Sequence, residues 1–186
     1  MIAFRVFPHD TSAPSNEPGG SLWFPREWQG TGRHDNPEHY GCLYVSEVAV
    51  APVAEALAVF RGTAELRWSM LVRAARGLAL ATIELDDGAM VIDLDDPEVL
   101  LAEKLRPSQV ATRQRERTQA DALTIFKRHR EAAGLRWWST LEASWLNLTL
   151  FDRAAARLNV ADIRLLALDD PVVLDAADAL GIRVAA

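Results

Sequence analysis

The sequence contains a single cysteine, Cys42, which excludes an intramolecular disulfide framework and suits a reducing compartment. It has no apolar run of 18 residues, and no basic segment leads into a long apolar one at its start, so neither a membrane span nor a signal peptide is predicted. Acidic residues outnumber basic residues by 26 to 20, and the net charge of −6 argues against a general grip on nucleic acid. We therefore expect a cytoplasmic protein with no membrane or direct nucleic-acid partner.

Motifs of the common catalytic and cofactor sites are also missing. The four histidines and one cysteine do not have the spacing of a zinc site, and the pair His34 and His39 in a loop is a weak signal, so no metal is predicted. The sequence has neither of the glycine-rich loops that hold nucleotide phosphates, GxxxxGK[ST] and GxGxxG. The G-x-S-x-G motif of serine hydrolases is missing as well.

The chain does contain enough apolar residues for a substantial core. Its 186 residues are 49% hydrophobic, which predicts one domain over residues 1–186. Strands are predicted by alternation and β-propensity, and helices by Asp or Pro at their starts and Gly at their ends. Segment 66–80 is not assigned, and segment 135–150 is predicted to be a strand with its extension. The other predicted strands are 2–7, 42–45, a hairpin of 78–85 with 90–94 around a turn at 86–88, 163–168 and 182–184; the predicted helices begin near Pro52 and at Asp96-Pro97 and cover 112–133 and 170–180.

The stretch from Gly32 to Glu55 carries the strongest chemical signal. A polar loop with Arg33 leads into a strand, and a helix candidate follows. Glu55 is the only charged residue between Glu47 and Arg61, among small and apolar neighbours. A carboxylate desolvated there would need a partner or a task. The alternative is a helix whose Glu55 side chain reaches solvent.

Four residue types along the chain suit a dinucleotide without a Rossmann turn. An arginine such as Arg33 binds a pyrophosphate with its bidentate fork. The ring of Tyr44 can stack on a planar base, and Glu55 can stabilise positive charge at an anomeric carbon as a glycosidic bond breaks. Ser139 follows two tryptophans, and such a serine more often bonds a neighbouring backbone group. Arg5 is either an exposed strand residue or a phosphate ligand.

Two further segments allow more than one interpretation. The loop over residues 21–32 contains Trp23, Phe24 and Trp28, and either folds over a site or uses these rings to hold the loop to the body. The helix over 112–133 has many arginines, which we interpret as a solvated face or a surface for an acidic partner.

The order and spacing of these motifs resemble the RES-domain family, which is named for its Arg, Glu and Ser. The resemblance covers nearly the whole chain. Its motifs are the opening strand with Arg5, the loop Gly32-Arg33, the strand Leu43-Tyr44, Glu55 eleven residues after Tyr44, and Ser139 behind Trp137-Trp138. Thr31 and His34 depart from the usual Gly-Gly-Arg-Trp-Asn form, and Asn36 lies one residue later.

The resemblance implies an α+β fold similar to ADP-ribosyltransferases, a split mixed β-sheet with surrounding helices. It implies an NAD+-consuming enzyme that cleaves the nicotinamide–ribose bond, an NAD+ phosphorylase or glycohydrolase with inorganic phosphate or water as acceptor. It assigns catalysis to Arg33, Glu55 and Ser139 and binding of the dinucleotide to Arg5, Arg33 and Tyr44. NAD+ is then a substrate, and no other cofactor is expected.

The resemblance also implies a toxin held inactive by a helix-turn-helix antitoxin. The oligomeric state stays open, a homodimer included. Two alternatives remain: an enzyme that transfers ADP-ribose to a protein, and a non-catalytic partner-binding module that has kept the fold. The presence of Arg33, Tyr44 and Glu55 argues against the module, because a degenerate copy would be expected to lose them.

Overall fold

The computed structural model describes residues 1–184 of the chain. Its strands are β1 (Ile2–Pro8), β2 (Cys42–Ser46), β3 (Glu65–Leu66), β4 (Val72–Arg73), β5 (Arg76–Leu85), β6 (Val91–Asp93), β7 (Gly134–Trp138), β8 (Leu146–Phe151), β9 (Leu158–Leu165) and β10 (Arg183–Val184). Its α-helices are α1 (Val50–Leu57), α2 (Pro97–Ala102), α3 (Pro107–Val110), α4 (Arg115–Arg128) and α5 (Pro171–Leu180).

The described chain divides into two compact units. The first unit comprises residues 1–23, 45–84 and 159 onward, and the second comprises 24–44 and 85–158. One boundary falls within β2, between Tyr44 and Val45. Arg5 and Glu55 therefore belong to the first unit, and Arg33, Tyr44 and Ser139 belong to the second.

The first unit is built on the long antiparallel pair β1–β5. The pairing runs without interruption from Ile2↔Glu84 to Pro8↔Leu78, and β9 and β4 also pair with β5. On one face of β1, Ala3 and Phe7 are buried, and Arg5 shares that face because side chains alternate along a strand. The alternation of side-chain direction along β1 thus places the Arg5 guanidinium between two core side chains.

Helices α1 and α5 pack together in the first unit. Most of their buried residues are Ala or Val, which lets the two helices approach closely. The buried residues are Ala51, Val53, Ala54 and Leu57 on α1, and Val172, Val173, Ala176, Ala177 and Leu180 on α5. The Asp170 side chain caps α5 by accepting from the Val172 N–H at 3.1 Å, and Gly181 ends the helix with φ +68°. The predicted helix start and end are confirmed.

The second unit contains parallel and antiparallel strand pairs. Strand β6 pairs parallel with β7 from Val91↔Gly134 to Asp93↔Arg136, and β7 pairs antiparallel with β8. The core of the unit combines aromatic and aliphatic side chains; it contains Tyr40, Cys42, Leu94, Leu100, Val110, Ala122, Ile125, Leu135, Trp137 and Phe151. Helix α4 contributes Ala122 and Ile125 to this core, and Phe126 of the same helix is partly buried against it.

Three sequence predictions of local structure are wrong. The predicted turn is present, since the Asp86 carboxylate accepts from the Gly88 N–H. Strand β6 does not pair with β5 after this turn but pairs with β7. Segment 135–150 is two antiparallel strands separated by residues 139–145. The helix predicted over 112–133 is shorter and covers Arg115–Arg128.

The unassigned segment 66–80 contains a tight hairpin. Strands β4 and β5 pair through Arg73↔Arg76, and the two residues between them, Ala74 and Ala75, have φ of 50° and 63°. Left-handed conformations at both positions are typical of a type I′ turn, in which Asn-Gly is common and Ala is disfavoured. No turn residue in the sequence therefore indicated this hairpin.

The α+β class, with a mixed sheet and surrounding helices, is confirmed. The single domain over residues 1–186 stays a prediction. None of the helices within residues 1–184 is long and apolar enough to cross a membrane.

Candidate functional site

Arg33 is a buried cation held by backbone carbonyls of its own unit. Its side chain is 5% exposed, and Nη1 donates to the Val110 oxygen at 2.7 Å and to the Thr112 oxygen at 2.8 Å. The guanidinium carbon lies 4.8 Å from the centre of the Trp137 ring, in cation–π distance. Nη1 is therefore used within the protein, and the phosphate-binding assignment of Arg33 stays a prediction.

Asp35 organises the loop that carries Arg33. Oδ2 of its buried carboxylate accepts from the Gly30 N–H at 2.9 Å and from the Gly32 N–H at 2.7 Å. Oδ1 accepts from the Tyr44 hydroxyl at 2.7 Å. A carboxylate that receives three such bonds is strongly ordered, since bonds to a charged acceptor are about twice as strong as neutral ones.

Tyr44 is held by its hydroxyl at the centre of this network. The hydroxyl accepts from the His34 N–H at 2.9 Å while it donates to Asp35. Burial, together with the neighbouring Cys42 and Asp35, raises the pKa of Tyr44 well above its usual value, so the phenol stays protonated. The ring rather than the hydroxyl is thus the part of Tyr44 that can serve a ligand.

The first two turns of α4 also hold the loop that carries Arg33. The Thr118 hydroxyl donates to the Arg33 oxygen at 2.5 Å. The Gln119 amide donates to the oxygens of Gly30 and Gly32 at 3.0 and 2.8 Å. The Asn36 side-chain amide in turn donates to the backbone carbonyl of Gln119 at 3.0 Å. Helix α4 therefore holds the loop at Gly30, Gly32, Arg33 and Asn36.

His34 is buried as a neutral ring. Burial in the first place, and then the charges of Arg33 and Arg115, lower its pKa to about 3. Its Nδ1 lies 2.8 Å from the Thr149 hydroxyl, which accepts from the Trp137 indole N–H at 3.0 Å. The Thr149 hydroxyl thus bonds both the His34 ring and the Trp137 indole. The ring has a packing role at physiological pH.

The side chain of Gln29 ties the loop before Arg33 to β2. Gln29 donates to the Cys42 oxygen at 2.6 Å and accepts from the Cys42 N–H at 2.8 Å. The Trp28 side chain is 72% exposed. This part of the predicted aromatic loop is therefore fixed to β2 by Gln29, while the Trp28 ring faces solvent.

Ser139 lies just after β7 and is 2% exposed. Its Oγ accepts from the Leu141 N–H at 3.2 Å, and its own N–H donates to the Trp145 oxygen at 2.7 Å. The side chain thus bonds a neighbouring backbone group, as is usual for a serine at a turn. Its catalytic assignment stays a prediction.

Arg5, in the first unit, is held by the loop that follows β1. Its Nη1 donates to the Ser21 oxygen at 2.5 Å, and its guanidinium carbon lies 5.5 Å from the centre of the Phe7 ring. Burial lowers the pKa of Arg5 to about 10, so the side chain remains cationic at neutral pH. Its phosphate-binding assignment stays a prediction.

Glu55 lies on the exposed side of α1, opposite the buried residues of that helix. Of the two alternatives for Glu55, the side chain that reaches solvent is the one observed. The residues of α1 that pack inward are Ala51, Val53, Ala54 and Leu57. The catalytic assignment of Glu55 stays a prediction.

Of the predicted residues, the structure brings Arg33 and Tyr44 into one hydrogen-bonded loop network through Asp35 and His34. Arg33 also stacks on Trp137, two residues before Ser139. The residues that organise the loop were not predicted from the sequence: Gln29, Asp35, Thr118, Gln119 and Thr149. The sequence shows Asp35 only as one of the polar residues of this loop. Within residues 1–184, no group of three His, Cys, Asp or Glu side chains is placed to hold a metal ion.

Comparison with known proteins places the fold. No protein family and no curated protein matches the sequence. Among solved structures, the chain is similar to a chain of the crystal structure of the M. tuberculosis MbcT–MbcA toxin–antitoxin complex, with a TM-score of 0.62 and 18% identity over 89% of this chain and 84% of that one. At this identity the likeness establishes the fold alone, which agrees with the fold implied by the sequence resemblance.

Proposed function

We propose that this protein consumes NAD+ by cleaving its nicotinamide–ribose bond. The observation that carries the proposal is the ordered network around Arg33 and Tyr44 on this fold. It combines a buried cation, in the loop that Asp35 holds in place, with a half-buried aromatic ring on β2. A cation for the pyrophosphate and a ring for the nicotinamide are two of the groups that such a substrate requires.

Glu55 supplies the electrostatic contribution. As the glycosidic bond breaks, its electron pair leaves with nicotinamide, and positive charge develops on the anomeric carbon of the ribose. A carboxylate stabilises that charge more in the transition state than in the substrate, which lowers the barrier. An oxygen of the acceptor then bonds to the anomeric carbon. Water gives ADP-ribose with loss of a proton, and inorganic phosphate gives a phosphorylated ADP-ribose.

The remaining candidates have binding roles. Arg33 binds phosphate oxygens of the substrate, and Arg5 is the second predicted phosphate ligand. The ring of Tyr44 packs on the nicotinamide, while its hydroxyl stays bonded to Asp35. Ser139 positions the nicotinamide end.

The protein acts as the toxin of a toxin–antitoxin pair in this proposal, with a helix-turn-helix protein as antitoxin. The support is the likeness in fold to a chain of a toxin–antitoxin complex. The test is expression without a partner. Growth should stop with the wild-type protein and continue with the Glu55→Gln variant at equal soluble levels. Normal growth of cells that make soluble, active wild-type protein would exclude a toxin but leave the enzyme intact.

The enzymatic proposal is tested by incubating the purified protein with NAD+ and following free nicotinamide by proton NMR. Release of nicotinamide is expected, and no release from folded protein would favour a partner-binding module. Parallel reactions with and without inorganic phosphate identify the acceptor from the product. Inclusion of a cell lysate with labelled NAD+ tests the transfer of ADP-ribose to a protein.

A further inference from the structure

A polar cleft lies between α3 and the start of α4 in the second unit. Its volume is about 470 Å³, within the range of clefts that hold small molecules. Its lining consists of Arg106, Ser108, Gln109, Thr112, Gln114 and Arg117. None of these lining residues carries a carboxylate, and two carry a permanent positive charge.

Hydrogen bonds at the wall of the cleft leave donors available to a ligand. The Gln109 Oε1 accepts from the Arg106 N–H at 2.9 Å, so the free end of this amide is its NH₂ donor. The Thr112 hydroxyl accepts from the Gln114 N–H at 3.2 Å, and its own proton remains to donate. The acceptor atoms are thus occupied within the protein, whereas the donors of the same side chains are not.

The two arginines add positive charge to these donors. Arg117 places its Nε 3.1 Å from the Asp121 carboxylate, which occupies one edge of its guanidinium. Arg106 uses its backbone N–H, and not its side chain, to bond Gln109. Residues 104–130 contain eight Lys or Arg and two Asp or Glu, whereas the whole chain has a net charge of −6. The cleft is therefore set in a cationic segment of an acidic protein.

We propose that this cleft binds an oxyanion of the phosphate class, held by Arg106 and Arg117 with the Gln109 amide and the Thr112 hydroxyl. Donors without competing acceptors, together with two guanidinium groups, match the tetrahedral oxygens of a phosphate. The first N–H groups of α4 add a smaller attraction. The carbonyls of Val110 and Thr112 hold Arg33, so the cleft is built on the segment that anchors Arg33. The proposal does not require that NAD+ be cleaved.

The binding test uses inorganic pyrophosphate as the probe, titrated into the full-length protein by calorimetry at low salt. The double variant Arg106→Gln/Arg117→Gln is compared with Arg113→Gln/Arg130→Gln, which removes the same charge from exposed positions outside the cleft. We expect binding to weaken roughly tenfold or more in the first variant, because two charge-assisted contacts are lost, and about twofold or less in the second.

Two further titrations identify the source of the phosphate. If ADP-ribose places its own pyrophosphate in the cleft, ADP-ribose and pyrophosphate compete. If the cleft takes a separate phosphate, ADP-ribose and pyrophosphate bind at the same time, and the Arg106→Gln/Arg117→Gln variant loses only the binding of pyrophosphate. Either result supports the proposal, and pyrophosphate binding to a protein that leaves NAD+ intact would support it while refuting the proposed function. Equal pyrophosphate affinity in the two folded variants, or none in the wild type, would overturn it.

Discussion

The loop around Arg33 and the helix around Glu55 present candidate groups in opposite ways. Around the loop, Asp35, Tyr44, Thr118 and Gln119 bond to each other or to backbone, and the candidate cation is buried. On α1, buried apolar residues pack inward and the candidate carboxylate is exposed. Substitutions around the loop should therefore change the free energy of unfolding together with activity. A substitution of Glu55 should change activity with little change in stability, because its side chain is exposed.

The largest effect on stability is expected from Asp35→Ala. It leaves the N–H groups of Gly30 and Gly32 and the Tyr44 hydroxyl without their acceptor, and we expect a loss of roughly 3–5 kcal/mol from three bonds to a charged group. Urea unfolding measures the loss. Asp169→Ala removes an exposed carboxylate as control and should change stability by about 0.5 kcal/mol or less. Similar values for the two variants would mean that the network does not order the loop.

The buried ring of His34 should make stability depend on pH. Its pKa is about 3 in the folded protein and near 6.5 when unfolded, so its contribution is complete above pH 6.5 and is lost as the pH falls towards 3. Between pH 6 and 4.5 this predicts a loss of about 2 kcal/mol. His34→Gln should flatten the profile in that window, above the range in which Asp10 and Glu142, whose pKa values are lowered, take up protons. An unchanged slope in the variant would assign the pH dependence to other groups.

Tyr44→Phe separates the hydroxyl of the tyrosine from its ring. Loss of the bonds to His34 and Asp35 should lower stability by about 1–2 kcal/mol. Turnover of NAD+ should stay within a few-fold of wild type, because the stacking ring remains. Tyr40→Phe is the matched control, since its hydroxyl also bonds within the loop, to the His34 oxygen. A loss of turnover of about a hundredfold in Tyr44→Phe alone would give the hydroxyl a chemical role.

Ser139→Ala should have a small effect on stability, about 1 kcal/mol or less, because the bond from the Leu141 N–H to its hydroxyl is long. Steady-state kinetics decide between its two roles. A raised KM for NAD+ or a lowered kcat indicates that Ser139 positions the nicotinamide. Unchanged kinetics alongside the small loss of stability would leave it as a turn residue.

The parts of the fold that follow from local chemistry could be predicted from the sequence. Asp96 and Asp170, each followed by proline, cap α2 and α5 as expected. The turn at Ala74 and Ala75 could not be predicted, because its left-handed backbone is imposed by the pairing of β4 with β5 and not by turn residues. The prediction that β6 pairs with β5 was wrong for a related reason. A short strand contains little information about which neighbouring strand it pairs with.

The candidate site shows the same division. Arg33, Tyr44 and Glu55 were chosen from their order and spacing, and the first two lie in one hydrogen-bonded network. The bonds to Arg33 come from residues almost 80 positions away, at Val110 and Thr112, and local sequence contains no signal for them. The sequence left two alternatives for Glu55, because the composition of a helix does not reveal which of its sides faces the core.

Turnover of NAD+ by Glu55→Gln, measured beside wild type at equal concentrations of folded protein, tests the account most directly. The amide keeps the size of the side chain and removes its charge, so we expect nicotinamide release to fall about 10²–10³-fold. Stability should stay within about 0.5 kcal/mol of wild type, since the side chain is exposed. Near wild-type turnover by a folded Glu55→Gln protein would contradict the account and leave Glu55 as a solvent-facing residue of α1.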